Sequence, residues 1–342
     1  MSGARILVKA KNAAVGVDAG HIAEPAGRFD VTLHVPDGEV RPGLINAHDH
    51  LHRNHYGRLG RPPYANAYEW GRDIHQRHPE AIARGRSLAR RQALRCGAWK
   101  NLFVGVTSVV HHDAWEAEFA SGFPINVVPI RCAHSLGFDA TVTGQGRPLA
   151  VHVAEGVDAD AASEIRELDR LGWLTPDLLA VHAVGPDDDG IRQLRESGAA
   201  IVWCPTSNLF LFRQTTPASL LAPGIDVLLG SDSLLTGAGT LLDELRAARE
   251  LGFVSDDRLL DAVGATAARR LQMSAPSLEY GAPADLAVFR KPVFDATADD
   301  VAVVIVAGLL RLLDPALVEA LGPLADAGRW QRTAGTLRWV CD

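Results

Sequence analysis

PGLINAHDHLH, residues 42–52, sets histidines at positions 48, 50 and 52 directly behind an apolar run. On a strand, alternate residues point the same way, so His48 and His50 share a face while Asp49 and Leu51 take the other. Facing pairs of neutral imidazoles grip first-row metals. Taken alone, the pattern is equally that of a histidine-rich polar loop. Its place in the chain decides between the two.

Reading outward, short β-branched runs alternate with longer amphipathic ones. The strand-like runs are GLINAH (43–48), GVTSVV (105–110), INVVPI (125–130), PLAVHV (148–153), LLAVHA (178–183), AAIVWC (199–204) and DVLLGS (226–231). Between them lie helical patterns such as AIARGRSLARRQALRCGAWKNL, ASEIRELDRLGWL, DGIRQLRES and TLLDELRAARELG, with apolar residues three and four apart. This alternation predicts parallel βα units, and an eighth strand would close a (β/α)8 TIM-type barrel. One unit is hard to place. Only RCAHSLGFDATVTGQGR separates INVVPI from PLAVHV, where a barrel wants a helix, a strand and a second helix. Either that unit is stripped down or the barrel is irregular. The flanks differ: ILVKA, DVTLHV, GAPADLAVF and VAVVIVAGL are strand-like. The expected organisation is a small β-sandwich domain from residues 1–42 and 276–342 around a barrel at 43–275.

Composition narrows the class. Of 342 residues 47% are hydrophobic, which predicts a sizeable core, and a formal charge of −7 without long single-sign runs gives no footprint for nucleic acid. VAVVIVAGLL at 301–310 is too short to span a bilayer, and MSGARILVKAKNAAVG lacks an apolar signal core. The cysteines at 96, 132, 204 and 341 form no CxxC pair, so reduced thiols and a cytoplasmic location are expected.

The chemistry gathers at strand ends. The first strand delivers His48 and His50, PLAVHVAEG ends in His152 with Glu155 three residues on, LLAVHAV ends in His182, and DVLLGSDS ends in Asp232. Barrel active sites lie at the C-terminal ends of strands, so four coincidences in register favour one centre over four structural residues.

PGLINAHDH, HVAEG, VHAV, WCPTSN and LGSDS, in this order, resemble the amidohydrolase superfamily, in its branch of cytosine deaminases, triazine hydrolases, guanine deaminases and S-adenosylhomocysteine deaminases. GAPADLAVF resembles that family's final β-sandwich strand. The resemblance implies that His48, His50, His152 and Asp232 ligate a single divalent metal, zinc by default with ferrous iron also suited. It implies that His182 touches the substrate oxygen or the transition state and that Glu155 shuttles protons. Asp232 would then also take the proton of the attacking water. Binuclear relatives bridge two metals with a carbamylated mid-barrel lysine. Here the lysines stand at 9, 11, 100 and 291 only, none of them between the second and last barrel strands. One metal is therefore expected.

For substrate, the stretch 52–79 reads as a long loop crowded with aromatics, arginines and histidines, and such loops are often functional. Trp70 on that loop, His112 after the second strand, and Ser207, Asn208 and Phe210 in TSNLFLF are the candidate contacts. The chain departs from relatives at Trp203, where a histidine is often found. The leading expectation is a deaminase that adds water to a small N-heterocycle and releases ammonia. The same machinery opening a cyclic amide stays an alternative, as does a catalytically inactive binding relative. A homodimer is the family expectation.

Overall fold

The computed structural model describes residues 3–341; Met1, Ser2 and Asp342, at the ends of the expected β domain, lie outside the described residues. Two central sheets carry the α/β part. One holds Leu44–Asp49, Val106–His111 and Asn126–Val127, all parallel. The other runs Thr143–Gly144, Arg131–Ala133, Leu149–Val153, Leu178–His182, Ala200–Trp203, Val227–Leu229, and only its two-residue first piece is antiparallel.

The two sheets meet at both edges. At one, a single run crosses between them: Val128 N–H donates to Val109 O at 2.9 Å and Arg131 N–H to Pro148 O at 3.0 Å. Pro129, which has no N–H to offer a ladder, sits at the break between these pairings. At the other edge the N–H groups of Ser231 and Asp232 both donate to His48 O, at 3.0 and 3.1 Å. The expected eightfold count is thereby corrected. Among the described residues the stretch 131–147 yields one strand and a short return, with no helix and no further parallel strand. Seven strand positions stand where eight were expected, because too little chain is present for a further βα unit.

Alternation along the strands sorts the core into two layers. Ile45, Ala47, Val110, Val128, Ile130, Ala150, Val181, Val202 and Leu228 share one inner cluster. Their neighbours Leu44, Val106, Val109, Val151, Ala180, Ile201 and Leu229 pack outward, with Leu94, Leu168 and Leu245 from the helices. Those helices are Arg90–Leu102, Ala159–Arg170, Asp188–Ser197 and Leu241–Leu251. Their ends follow from local chemistry: the Asp158 and Asp187 side chains accept from Ala161 N and Gly190 N, and Gly198 closes its helix at φ 71°. The expected loop 52–79 is partly helical. Asn66 caps Ala67–Arg77 by accepting from Glu69 N, and Glu69 returns a bond to Ala65 N.

Both termini form β structure around a separate apolar cluster, antiparallel except where Ile6–Ala10 runs parallel to Val31–Val35. Ile6–Ala10 pairs with Ala14–Asp18 and Val31–Val35, while Glu39–Pro42 joins the sheet that contains Leu286–Phe289, Val301–Val306 and Leu309–Leu313. Ile6, Val17, Leu33, Leu286, Ile305 and Leu313 meet in that cluster. Among the described residues, no helix is long and apolar enough to cross a membrane.

Behind the first strand lies a buried ionic network. Asp49, with 0% of its surface exposed, accepts from Lys100 Nζ at 2.9 Å, Asn54 Nδ2 at 2.7 Å and Asn101 Nδ2 at 2.7 Å. Lys100 also donates to Ser231 Oγ at 3.0 Å and to Asp232 O at 2.9 Å. The helix that supplies Lys100 approaches closely because of Gly97, where a Cβ would stand 2.4 Å from Leu51 O. A second buried carboxylate, Glu244, holds the N-terminus of helix Pro205–Phe212 through Thr206 N at 2.9 Å and the Thr206 hydroxyl.

Two outcomes are expected. Lys100→Met removes the one cation paired with buried Asp49 and leaves it only neutral donors, and should cost about 3–5 kcal/mol in denaturant unfolding. Burial, opposed by the Thr206 bonds, pushes the Glu244 carboxyl up to about 8 from 4.5. Its folded-state pKa is raised, so its contribution is fully present below pH 4.5 and is lost as pH rises through about 8. Glu244→Gln should therefore flatten the fall in unfolding free energy between those pH values relative to the parent protein; parallel curves would contradict this.

Candidate metal centre and active site

The five strand-end residues converge. His48 and His50 end the first strand, His152 lies on Leu149–Val153, His182 closes Leu178–His182, and Asp232 follows Val227–Leu229. One nitrogen each of His48, His50 and His152 lies within 4.8 Å of the others, and His48, His182 and Asp232 form an equally close group. Asp232 Oδ1 stands 3.7 Å from His48 Nε2 and 3.8 Å from His50 Nε2. The imidazoles of His48, His50 and His152 are 5.0–5.3 Å apart, centre to centre.

Several of these residues depart from ordinary strand geometry. Asp232 has φ 50° and His182 φ 70°, and Ala154, just beyond His152, has φ 49°. Non-glycine residues held there carry strain, which the surrounding contacts must hold in place. Gly230 lets the last strand come against the first: a Cβ there would lie 2.4 Å from His48 Cβ.

Burial disfavours the charged form of three of the imidazoles. Burial holds His48 below its ordinary value and His50 and His152 well below it. Burial alone would raise the Asp232 carboxyl, but the adjacent His48 and His182 imidazoles and the bond from the Thr236 hydroxyl hold it well below the carboxylate range. Asp232 Oδ2 accepts from Ser207 Oγ at 2.8 Å and Thr236 Oγ1 at 2.7 Å, while Oδ1 accepts from Ser233 N at 2.8 Å. Both ring nitrogens of His48, and Nδ1 of His50, are buried without a hydrogen-bond partner. Orphaned buried nitrogens are costly, and neutral imidazoles with an ionised carboxylate are the donor set of a first-row divalent ion. The residues fit such an ion. Lysine chemistry does not compete: Lys100 is committed to Asp49, and the other lysines are exposed.

The cluster lies at the end of a cavity of about 680 Å³, lined also by Glu155, Trp70, His134 and Arg53. Glu155 Oε1 is 3.6 Å from His182 Nε2. Burial pushes the Glu155 carboxyl up to about 7, with His182 opposing the shift and Asp232 adding to it. His182 Nδ1 donates to Asn208 Oδ1 at 2.9 Å, which leaves Nε2 toward Glu155.

The expected substrate contacts divide. Trp70 lines the cavity, with its indole N–H donating to Leu59 O at 3.0 Å. His112, Ser207, Asn208 and Phe210 do not line it. His112 is fully buried behind His48 and His152, its Nε2 bonded to Ala133 O at 2.8 Å. Ser207 and Asn208 face Asp232 and His182 from behind, and Phe210 packs under the Arg58 guanidinium. Sequence reasoning overlooked His134, stacked 6.1 Å from His152, and Arg53. Arg53 had a signal, its place three residues after His50; His134 lay in the unplaceable segment.

Comparison with known proteins agrees with this geometry. The amidohydrolase family model matches residues 144–311. The 5-methylthioadenosine/S-adenosylhomocysteine deaminase of Haloarcula marismortui is 30% identical over 142 residues, covering 39% of this chain and 33% of that protein. The 5'-deoxyadenosine deaminase of Methanosarcina mazei is 28% identical over 201 residues, covering 49% of this chain and 46% of that protein. These matches thus span less than half the length of the relatives. Among solved structures, a zinc-bound adenosine deaminase from Xanthomonas campestris has a TM-score of 0.66 at 19% identity, covering 92% of this chain and 94% of its own. The triazine hydrolase of Arthrobacter aurescens has a TM-score of 0.69 at 18% identity, covering 90% and 94%. At such identities the likeness is one of fold alone. Over residues 144–311 this chain is similar to the amidohydrolase family, and the His and Asp side chains gathered at its strand ends accord with that likeness.

Proposed function

We propose that the protein is a metal-dependent aminohydrolase that adds water to a C=N or C–NH2 carbon of a small N-heterocycle and releases ammonia. The convergence of buried, unpartnered imidazole nitrogens with the Asp232 carboxylate at the end of a cavity carries this reading. The deaminase names of the partial relatives support it. His48, His50, His152 and Asp232 would hold one divalent ion, zinc in our assignment and ferrous iron as the alternative. When bound, the ion supplies Lewis-acid polarisation and lowers the pKa of a water.

The remaining steps belong to the chain. Asp232, its far oxygen fixed by Ser207 and Thr236, takes the proton of the attacking water through the oxygen that faces the imidazoles. Glu155, whose proton affinity sits near neutrality, hands a proton to the ring nitrogen or the leaving amine. His182 is oriented by Asn208, and a proton held between its Nε2 and Glu155 serves the oxygen developing on the attacked carbon. The water oxygen stays on carbon, the C–N bond breaks, and the amine departs as ammonia. Trp70 supplies an aromatic wall for the planar ring, while His112, Ser207, Asn208 and Phe210 are reassigned from substrate contacts to supports. We also retain residues 43–275 as the hydrolase unit and the two flanks, 1–42 with 276–342, as its β companion.

Metal analysis of purified protein, followed by an ammonia-release screen of aminated purines, pyrimidines, triazines and cyclic ureas, tests the reading. Ring opening without ammonia would select the cyclic-amide alternative. His152→Ala should lose the bound ion, and with it the drop in thermal midpoint that a chelator causes in the parent protein. Metal and turnover left intact by that change would remove the ligand assignment. Glu155→Gln should keep the metal yet lower kcat by about 10²–10⁴-fold.

A further inference from the structure

We propose that Arg53 recognises a carboxylate on the substrate, so that the heterocycle this site takes is an acidic one. The inference rests on the aminohydrolase reading and names the substrate class for that same cavity.

Arg53 ends the short turn Leu51–Arg53, three residues beyond His50, and lines the cavity together with His50, His152 and Glu155. Among the described residues, the only hydrogen bond its guanidinium makes runs from Nε to His52 Nε2, at 3.3 Å. Among the described residues no carboxylate lies within 4.0 Å of it. Nearby acids are already engaged elsewhere. Asp113 is paired with Arg90 at 3.3 Å and faces His52 at 3.6 Å, and Asp232 is held by Ser207, Thr236 and Ser233. A partly buried guanidinium thus has an uncharged nitrogen acceptor as its partner. That is an uncommon arrangement, because a cation drawn out of water ordinarily finds an anion.

With Nε committed to His52, the two terminal nitrogens remain. Their spacing and planarity match the two oxygens of a carboxylate, which a guanidinium grips through paired, charge-assisted bonds. A second arginine, exposed at the same cavity, likewise meets an imidazole. Arg86 Nη2 meets His75 Nε2 at 3.1 Å, His75 Nδ1 is bonded to Gly71 O at 2.8 Å, and no acid lies within 4.0 Å of this guanidinium either. Of the arginines that line the cavity, only Arg90 is matched by acids, Asp113 and Glu116. Apart from Glu155 and Asp232, the only cavity carboxylate is the exposed Asp139. Setting aside Asp232, assigned to the metal, and Glu155, assigned as proton donor, two guanidiniums face the single carboxylate of Asp139, beside an apolar wall of Trp70, Ile74, Ile82 and Leu235. An anionic ring compound complements both surfaces.

The test titrates zinc-loaded protein calorimetrically with pyridine-3-carboxylate and with pyridine-3-carboxamide, two probes that differ in charge and little in shape. The parent protein should bind the carboxylate about tenfold tighter or more. Arg53→Gln keeps a donor toward His52 but removes the charge, and should bring the ratio to about one while metal content and thermal midpoint hold. Arg53→Lys, which keeps charge without the planar fork, should show a reduced ratio and serves if the glutamine variant fails to fold. Equal binding of the probes, binding of neither, or a ratio unchanged in the folded variants would overturn the proposal. A preference that survives Arg53→Gln would assign the carboxylate to the metal instead. The titration reads binding without turnover, so its failure leaves the ammonia screen standing, and failure of that screen leaves the titration standing.

Discussion

The carboxylate of Asp49 governs the geometry of this site. It sits between the two histidines of the first strand, fully buried, where an ionised group is tolerable only with a complete set of donors. Those donors come from different parts of the chain: Asn54 from the turn just beyond the histidines, Lys100 and Asn101 from the following helix. Ser231, from the last strand, adds a weaker bond at 3.3 Å. Lys100 reaches on to the carbonyl of Asp232. One charge therefore fastens the beginning of the strand circuit to its end. It does so directly behind the side chains that face the cavity, so His48, His50 and Asp232 cannot shift independently.

The cavity side is organised on the same principle with weaker bonds. Asp232 is aimed by two hydroxyls and a backbone N–H, and His182 by an amide oxygen. Helix Pro205–Phe212 contributes Ser207 and Asn208 to both tasks, and Glu244 anchors that helix by its first turn. The left-handed backbone at His182 and Asp232 is held by these contacts. Groups fixed before substrate arrives need no reorganisation during the reaction, which is where polar sites gain most of their catalytic effect.

Much of this was legible from residue order. Short β-branched runs between amphipathic stretches identified the strands at 44–49, 106–111, 149–153, 178–182, 200–203 and 227–229, because both layers of core draw on them. Strand-end position made His48, His50, His152, His182 and Asp232 stand out, and the structure brings all five to one place. What was missed has identifiable causes. The run at 126–133 serves two sheets with a proline at the change-over, a pattern that one-strand-at-a-time reading treats as an interruption. Ser207 and Asn208 were expected at the cavity because they follow a strand end. Which side of the next helix they occupy depends on how that helix is tilted against its neighbours, and propensity carries no information on tilt.

By itself, the sequence determined the alternation of elements, the neutral-imidazole chemistry and the lack of a free lysine for a bridging carbamate, since these follow from residue type, spacing and count. Only the tertiary structure decided that seven strand positions carry the circuit, and that Lys100 lies behind the histidines. It alone set His112 in the wall and Arg53 on the cavity. Each of those outcomes depends on groups far apart along the chain competing for the same donors and the same space, and that competition exists only once the chain has closed on itself.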